Sequence, residues 1–118
     1  MRSDPDYVKR LLIAFQDAPD PTTDIDELKR AGFSCEDAQF YLHLRLLNDD
    51  GFIESEDGVP GMAGLTASGH EFAEAMNHSK AFEAVKRSLV TSSLSVMRDI
   101  AVATFKMELS RHGVHLGS

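Results

Sequence analysis

Apolar residues near the start of the chain fall at Val8, Leu11, Leu12 and Phe15, the spacing that puts them on one face of an α-helix. Asp4 stands where a cap accepts from the first turn, and Pro5 stands where a missing N–H costs nothing. Pro19 and Pro21 end this helix after Asp17. The pattern predicts a short second helix over 25–31, with Asp24 and Glu27 as a capping-box-like pair and Gly32 as its stop. Its apolar residues, Ile25, Leu28 and Ala31, are too few to hold it without a neighbour. A third helix is predicted from Ser34, with Asp37 at the capping-box position, to about Asn48, with Gly51 as terminator. Its expected buried stripe is Cys35, Ala38 and Leu42, flanked by Tyr41 and Leu46. Phe40, His43 and Leu47 are expected on neighbouring faces.

The period then changes. Phe52 to Gly58 reads as a short strand into a turn, and Val59 to Leu65 as a Gly- and Pro-rich loop returning as a second strand, together a hairpin. Thr66 or Ser68 caps a further helix bearing Phe72, Ala73, Ala75 and Met76. Ser79 is expected to cap another, bearing Phe82, Val85 and Leu89. After a break at 91–93, a last helix runs from Leu94 to Arg111 with two apolar stripes. Met97, Ala101, Thr104 and Phe105 form one stripe. Val96, Ile100, Ala103 and Met107 form the other, about 100° away, and a helix apolar over that width needs cover on two sides. The second stripe is the expected homodimer contact. The predicted fold is mainly α with a small β-hairpin (α+β): a helical and hairpin unit over 1–78, followed by a two-helix extension over 79–112 in the same compact body.

The chain has 118 residues, 42% hydrophobic and 26% charged, within the range of one globular domain. Its one cysteine, Cys35, rules out an intrachain disulfide and is expected in the core. No apolar run approaches the roughly 20 residues of a membrane span, and the N-terminus has no signal-like apolar region, so a cytoplasmic location is expected. The net charge is −7, unevenly spread. Residues 46–79 contain no Lys or Arg, whereas residues 80–118 carry a basic excess. A sequence-independent grip on DNA is built from Lys and Arg against phosphates, and the middle third offers none.

Two stretches are specific in wording. Tyr41-Leu-His-Leu-Arg-Leu-Leu-Asn-Asp-Asp-Gly-Phe-Ile-Glu54 is similar to the junction where a winged helix-turn-helix passes from recognition helix into wing. Leu65-Thr-Ala-Ser-Gly-His-Glu-Phe72 resembles the stretch that closes the wing. With the opening Arg2 to Leu12, the Gly32-Phe-Ser34 turn and Lys80-Ala-Phe-Glu-Ala-Val-Lys86, these resemble a family of small bacterial and prophage-borne winged-helix proteins of uncharacterised function. Phe82 stands where that family usually has Trp. The resemblance implies a winged helix-turn-helix, with the third helix as recognition element and the hairpin as wing.

No P-loop, dinucleotide fingerprint, nucleophile elbow, His-Glu-x-x-His pair or EF-hand spacing occurs, so no enzyme activity, cofactor or metal is expected. His70 is expected to tie the helix start to the wing, and His112 and His115 to be solvated. Two functional readings follow. In the first, the protein is a DNA-binding regulator of bacterial or phage origin, dimeric through its C-terminal helices. Ser34, Gln39, His43 and Arg45 face bases, and Lys29 and Arg30 position the backbone with help from Lys9 and Arg10. Glu36 and Asp37 oppose phosphate approach. In the second, the scaffold binds a protein, such as a host protein inhibited by a phage product, through an exposed Phe40 and the acidic wing residues Glu54, Glu56 and Asp57. The family resemblance favours DNA and the charge map favours protein; the DNA-binding regulator is the expected function, with protein binding as the alternative.

Overall fold

The computed structural model describes residues 4–18, 22–33, 38–55, 62–88 and 93–111, without the side chains of residues 25, 26 and 29. Helix α1 spans Pro5–Asp17. It begins as the sequence predicts: the Asp4 carboxylate accepts from the Asp6 N–H at 3.0 Å, and Pro5 opens the first turn. Val8, Leu11, Leu12 and Phe15 are its buried face. A two-residue strand, β1 (Thr23–Asp24), follows. It is absent from the sequence reading because two residues are too few for an alternation to register. Helix α2 (Ile25–Arg30) starts where the Asp24 carboxylate accepts from the Glu27 N–H at 2.8 Å.

Helices α2 and α3 (Ala38–Asp49) end in the same way. After α2, Gly32 takes a left-handed φ of 99°, and the Phe33 N–H returns 3.2 Å to the Leu28 carbonyl. After α3, Gly51 takes φ 77°, and the Phe52 N–H returns 2.8 Å to the Leu47 carbonyl. Both are Schellman closures, in which Gly supplies the conformation and the next residue reaches back. In both, the residue reaching back is a buried Phe that packs into the core.

The buried face of α3 is not the predicted one. Phe40, His43 and Leu47 are buried, whereas Ala38 and Tyr41 are exposed. The choice lies between two aromatic neighbours. Phe40 loses no polar atom by burial and meets Phe33 with ring centroids 6.1 Å apart, whereas a phenol favours a wet edge. Cys35 lies outside the described residues.

Strands β2 (Ile53–Ser55) and β3 (Met62–Leu65) form the expected hairpin. The sheet order is β1-β3-β2, antiparallel throughout, with Ile53 opposite Leu65 and both Ser55 and Thr23 opposite Ala63. Helix α4 (Ala67–Met76) is capped by Thr66 and not by Ser68. The Thr66 hydroxyl accepts from the Gly69 N–H at 3.1 Å and donates to the Gly51 carbonyl at 2.6 Å, and the Thr66 N–H donates to the Phe52 carbonyl at 3.0 Å. This threonine makes the tie expected of His70, whose side chain is exposed.

Helix α5 spans Ser79–Arg87, with His78 and not Ser79 at the cap position. Helix α6 spans Leu94–Arg111, the predicted bounds. It packs on both α4 and α5, while α1 lies against α4. The result is a mainly helical α+β fold of six helices and a three-stranded sheet among the described residues. No helix among these residues is long and apolar enough to cross a membrane.

Gly69 is where this packing tolerates least. A Cβ there would overlap the Phe52 carbonyl oxygen, backbone that cannot swing aside. Gly69→Ala is therefore expected to destabilise the protein by about 2–3 kcal/mol, despite alanine's better helix propensity. Thermal melting should show a fall in Tm of about 8 °C or more.

Candidate functional site

On the outer side of α3, Tyr41, Leu44, Arg45 and Asn48 follow helical spacing and form one wall of a groove. The sheet supplies the other wall through Ile53, Ser55, Met62 and Ala63, and Phe15, Thr23 and Leu28 also line the space. The groove encloses about 330 Å³. It exists because α3 buries Phe40, His43 and Leu47 inward, which turns Tyr41 and Leu44 out toward the strands. Tyr41 is 52% exposed. Thr23 is buried at 4% exposure, and its hydroxyl oxygen meets no hydrogen-bond partner among the described residues. Burial without a partner is costly for a hydroxyl, which makes this oxygen conspicuous.

Thr23 also borders a second cavity of about 450 Å³ between α1 and α2, lined by Arg10, Ile13, Asp17, Glu27 and Arg30 among others. The Arg10 guanidinium lies over the Phe33 ring, 4.8 Å from its centroid. Arg30 is held by Glu27 at 2.8 Å.

The segment that carries α3 and the hairpin is one-sided in sequence charge, although the charged side chain that lines the groove is Arg45. Residues 34–65 contain one cation, Arg45, and seven carboxylates. Arg45 itself lies 3.7 Å from Asp49, one helical turn on, with both side chains solvated, so the pair contributes little stability. Asp49, Asp50 and Glu54 are exposed.

The predicted site residues fare unequally. Arg45 is exposed on α3 as a reader of bases would be, and Gln39 is half-buried. His43 is fully buried, which withdraws it from any external ligand. Its Nε2 accepts from the Asp4 N–H at 3.1 Å, so Nδ1 carries the proton and donates to the Gln39 carbonyl at 2.7 Å. Its ring stacks on Tyr7 at 4.6 Å. His43 thus ties α3 to the cap of α1. Phe40, expected as an exposed contact, is likewise fully buried. Arg30 and Glu54 are exposed, while Ser34, Glu56, Asp57 and the Lys29 side chain lie outside the described residues. Lys9 is 4.2 Å from the Phe82 ring centroid, toward α5 and away from the groove.

On α6, Met107 and Ala103 are exposed, and Val96 and Ile100 are half-buried, with Ile100 packing partly on the core. The opposite side buries Leu94, Met97, Ala101 and Val102, and with them a carboxylate. Glu108 is 4% exposed, with Arg111 at 3.2 Å and Lys80 of α5 at 3.5 Å. Sequence reasoning missed this buried acid, although its position continues the 94, 97, 101, 105 spacing. It also missed Arg98, which joins α6 to α4 through Glu71 at 2.6 Å and also meets Asp99 at 3.0 Å. The Asp99 hydrogen bond holds this guanidinium above its ordinary pKa, with Glu71 adding to the effect and burial opposing it. Among the described residues, no three His, Cys, Asp or Glu side chains converge as metal ligands.

The chain matches no family model, no curated protein and no solved structure.

Replacing His43 removes a stack and two hydrogen bonds from the interior. His43→Ala is expected to lower stability by about 2–4 kcal/mol in urea unfolding. In the intact protein, long-range proton–nitrogen NMR should show the Nδ1–H tautomer.

Proposed function

We propose that this protein is a winged-helix binding module of bacterial or phage type that acts without catalysis, and that its α3–sheet face recognises a protein rather than DNA. The order helix, strand, helix, helix, hairpin, with β1 closing the sheet beside β3, supports the winged-helix part of the reading. The observation that carries the choice of partner is the charge of the segment over 34–65, whose sequence holds one arginine and seven carboxylates, three of which, Asp49, Asp50 and Glu54, are exposed among the described residues. Phosphate contacts supply nearly all non-specific DNA affinity, and a field of this sign repels them. The apolar groove beside Tyr41 adds what a protein interface uses and a phosphate backbone does not.

DNA recognition remains a second reading on one specific observation: Arg45 and Asn48 project from the outer side of α3, where base-reading side chains sit in helix-turn-helix proteins. Gln39 and Arg30 would then assist. Self-association through Val96, Ile100, Ala103 and Met107 fits either reading. These residues repeat at coiled-coil spacing, but the seam is only about 16 Å long at 1.5 Å per residue. The expected homodimer is therefore weak, and sedimentation should show it dissociating in the micromolar range, with Met107→Glu monomeric throughout.

Fluorescence anisotropy with mixed duplex DNA at about 50 mM salt separates the two partner readings. The expected result is no binding up to about 10 µM protein. Micromolar binding that weakens steeply by about 200 mM salt, and is lost in Arg45→Ala, would reverse the choice.

A further inference from the structure

The cavity between α1 and α2, about 450 Å³, is of a size that holds a small molecule. One wall is a stripe of α1 at helical spacing: Arg10, Ile13, Ala14 and Asp17. A cation therefore stands at one end of the stripe, a carboxylate at the other, and apolar side chains between. Leu28 and Phe33, both buried, extend the apolar lining from the α2 side. The remaining charged lining residues, Glu27 and Arg30, neutralise each other at 2.8 Å.

The two charges of the stripe have no such partner. Among the described residues, Arg10 is in no ion pair; its guanidinium lies 4.8 Å from the Phe33 ring centroid and 5.7 Å from that of Tyr7. A guanidinium placed over rings keeps its planar fork of N–H donors for a carboxylate. Asp17 is likewise in no ion pair among the described residues. It ends α1, where the helix dipole is negative, and no basic residue in the last turn offsets it. That end of the cavity favours an ammonium group.

We propose that the α1–α2 cavity binds a small elongated zwitterion, with its carboxylate at Arg10, its ammonium at Asp17 and an apolar body along Ile13, Ala14 and Phe33. Seven residues of helix set the two ends about 10 Å apart along the axis at 1.5 Å per residue. Two or three extended residues cover about that span, so a free dipeptide or tripeptide has the required chemistry. A free α-amino acid carries both charges on one carbon and cannot reach both ends. A simple anion would meet Asp17 without compensation, and a simple cation would meet Arg10. The inference goes beyond the reading of the α3–sheet face and does not depend on which macromolecule that face takes.

The test is a titration of the intact protein with the peptide Ala-Leu-Ala, read by amide chemical shifts. Its N-acetyl form, its C-terminal amide and free leucine are titrated in parallel. The free tripeptide is expected to saturate with a Kd of about 0.1–1 mM, moving the amides of Arg10, Ala14, Asp17 and Ala31. Each blocked form and leucine should bind at least tenfold more weakly. Arg10→Gln and Asp17→Asn, both at exposed positions, should keep the parent melting curve. Arg10→Gln should remove the advantage of the free peptide over its amide, and Asp17→Asn its advantage over the acetylated form.

The comparison of free and blocked peptides needs no variant, so it decides even if a substitution disturbs the fold. Equal binding of free and blocked forms would overturn the inference. So would the absence of a saturable shift up to about 10 mM peptide. Shifts centred on Tyr41 and Leu44 would move the ligand to the other groove and overturn the assignment to this cavity.

Discussion

The Phe52 carbonyl lies against the first turn of α4, with Gly69 beneath it and the Thr66 N–H bonded to it. Much of the architecture depends on that approach. The same two residues that end α3 and begin β2, Gly51 and Phe52, are held by the residue that caps α4. One threonine therefore joins the end of α3, the start of the hairpin and the start of the next helix. Phe52 also reaches the Phe72 ring, with centroids 4.8 Å apart, so the backbone lock and the aromatic core share a residue. Helix α4 in turn carries α1 on one side and α6 on another. A fault at this junction would loosen the hairpin, and with it the groove wall that Ile53 and Met62 provide.

Much of this was legible from residue order. The cap at Asp4, the closures at Gly32 and Gly51, the hairpin and the bounds of α6 all follow from local chemistry, because the groups that set them are neighbours in sequence. The face that α3 buries was not legible. Apolar residues occupy nearly every position from Phe40 to Leu47, so spacing alone does not choose among faces. Tertiary partners choose instead: Tyr7 for His43 and Phe33 for Phe40. That rotation changes the functional argument. It removes His43 and Phe40 from the surface and places Tyr41 and Leu44 beside the strands. The groove was invisible in sequence for the same reason, since its walls come from α3 and the sheet and part of its lining from Phe15, Thr23 and Leu28.

Charge tells a similar story at a longer range. The acidic middle of the chain and its basic C-terminal part can be counted from the sequence, but their pairing cannot. In the fold, several C-terminal cations are spent internally, two of them on the buried Glu108 and one on Glu71. The segment over 34–65 has one cation of its own, Arg45, and it lies 3.7 Å from Asp49. The basic excess thus helps bind α6 to the rest of the protein, while Asp49, Asp50 and Glu54 stay exposed.

The paired Gly-Phe closures bear on chain length. At each, a left-handed glycine and the phenylalanine that anchors the next segment are adjacent, so reversal of direction and re-entry into the core occur without a spacer. An insertion of even one residue between Gly32 and Phe33, or between Gly51 and Phe52, separates the returning N–H from its carbonyl and carries the ring out of register. These two joints therefore forbid length variation, and any variant of this chain that differs in loop length must take up the difference elsewhere.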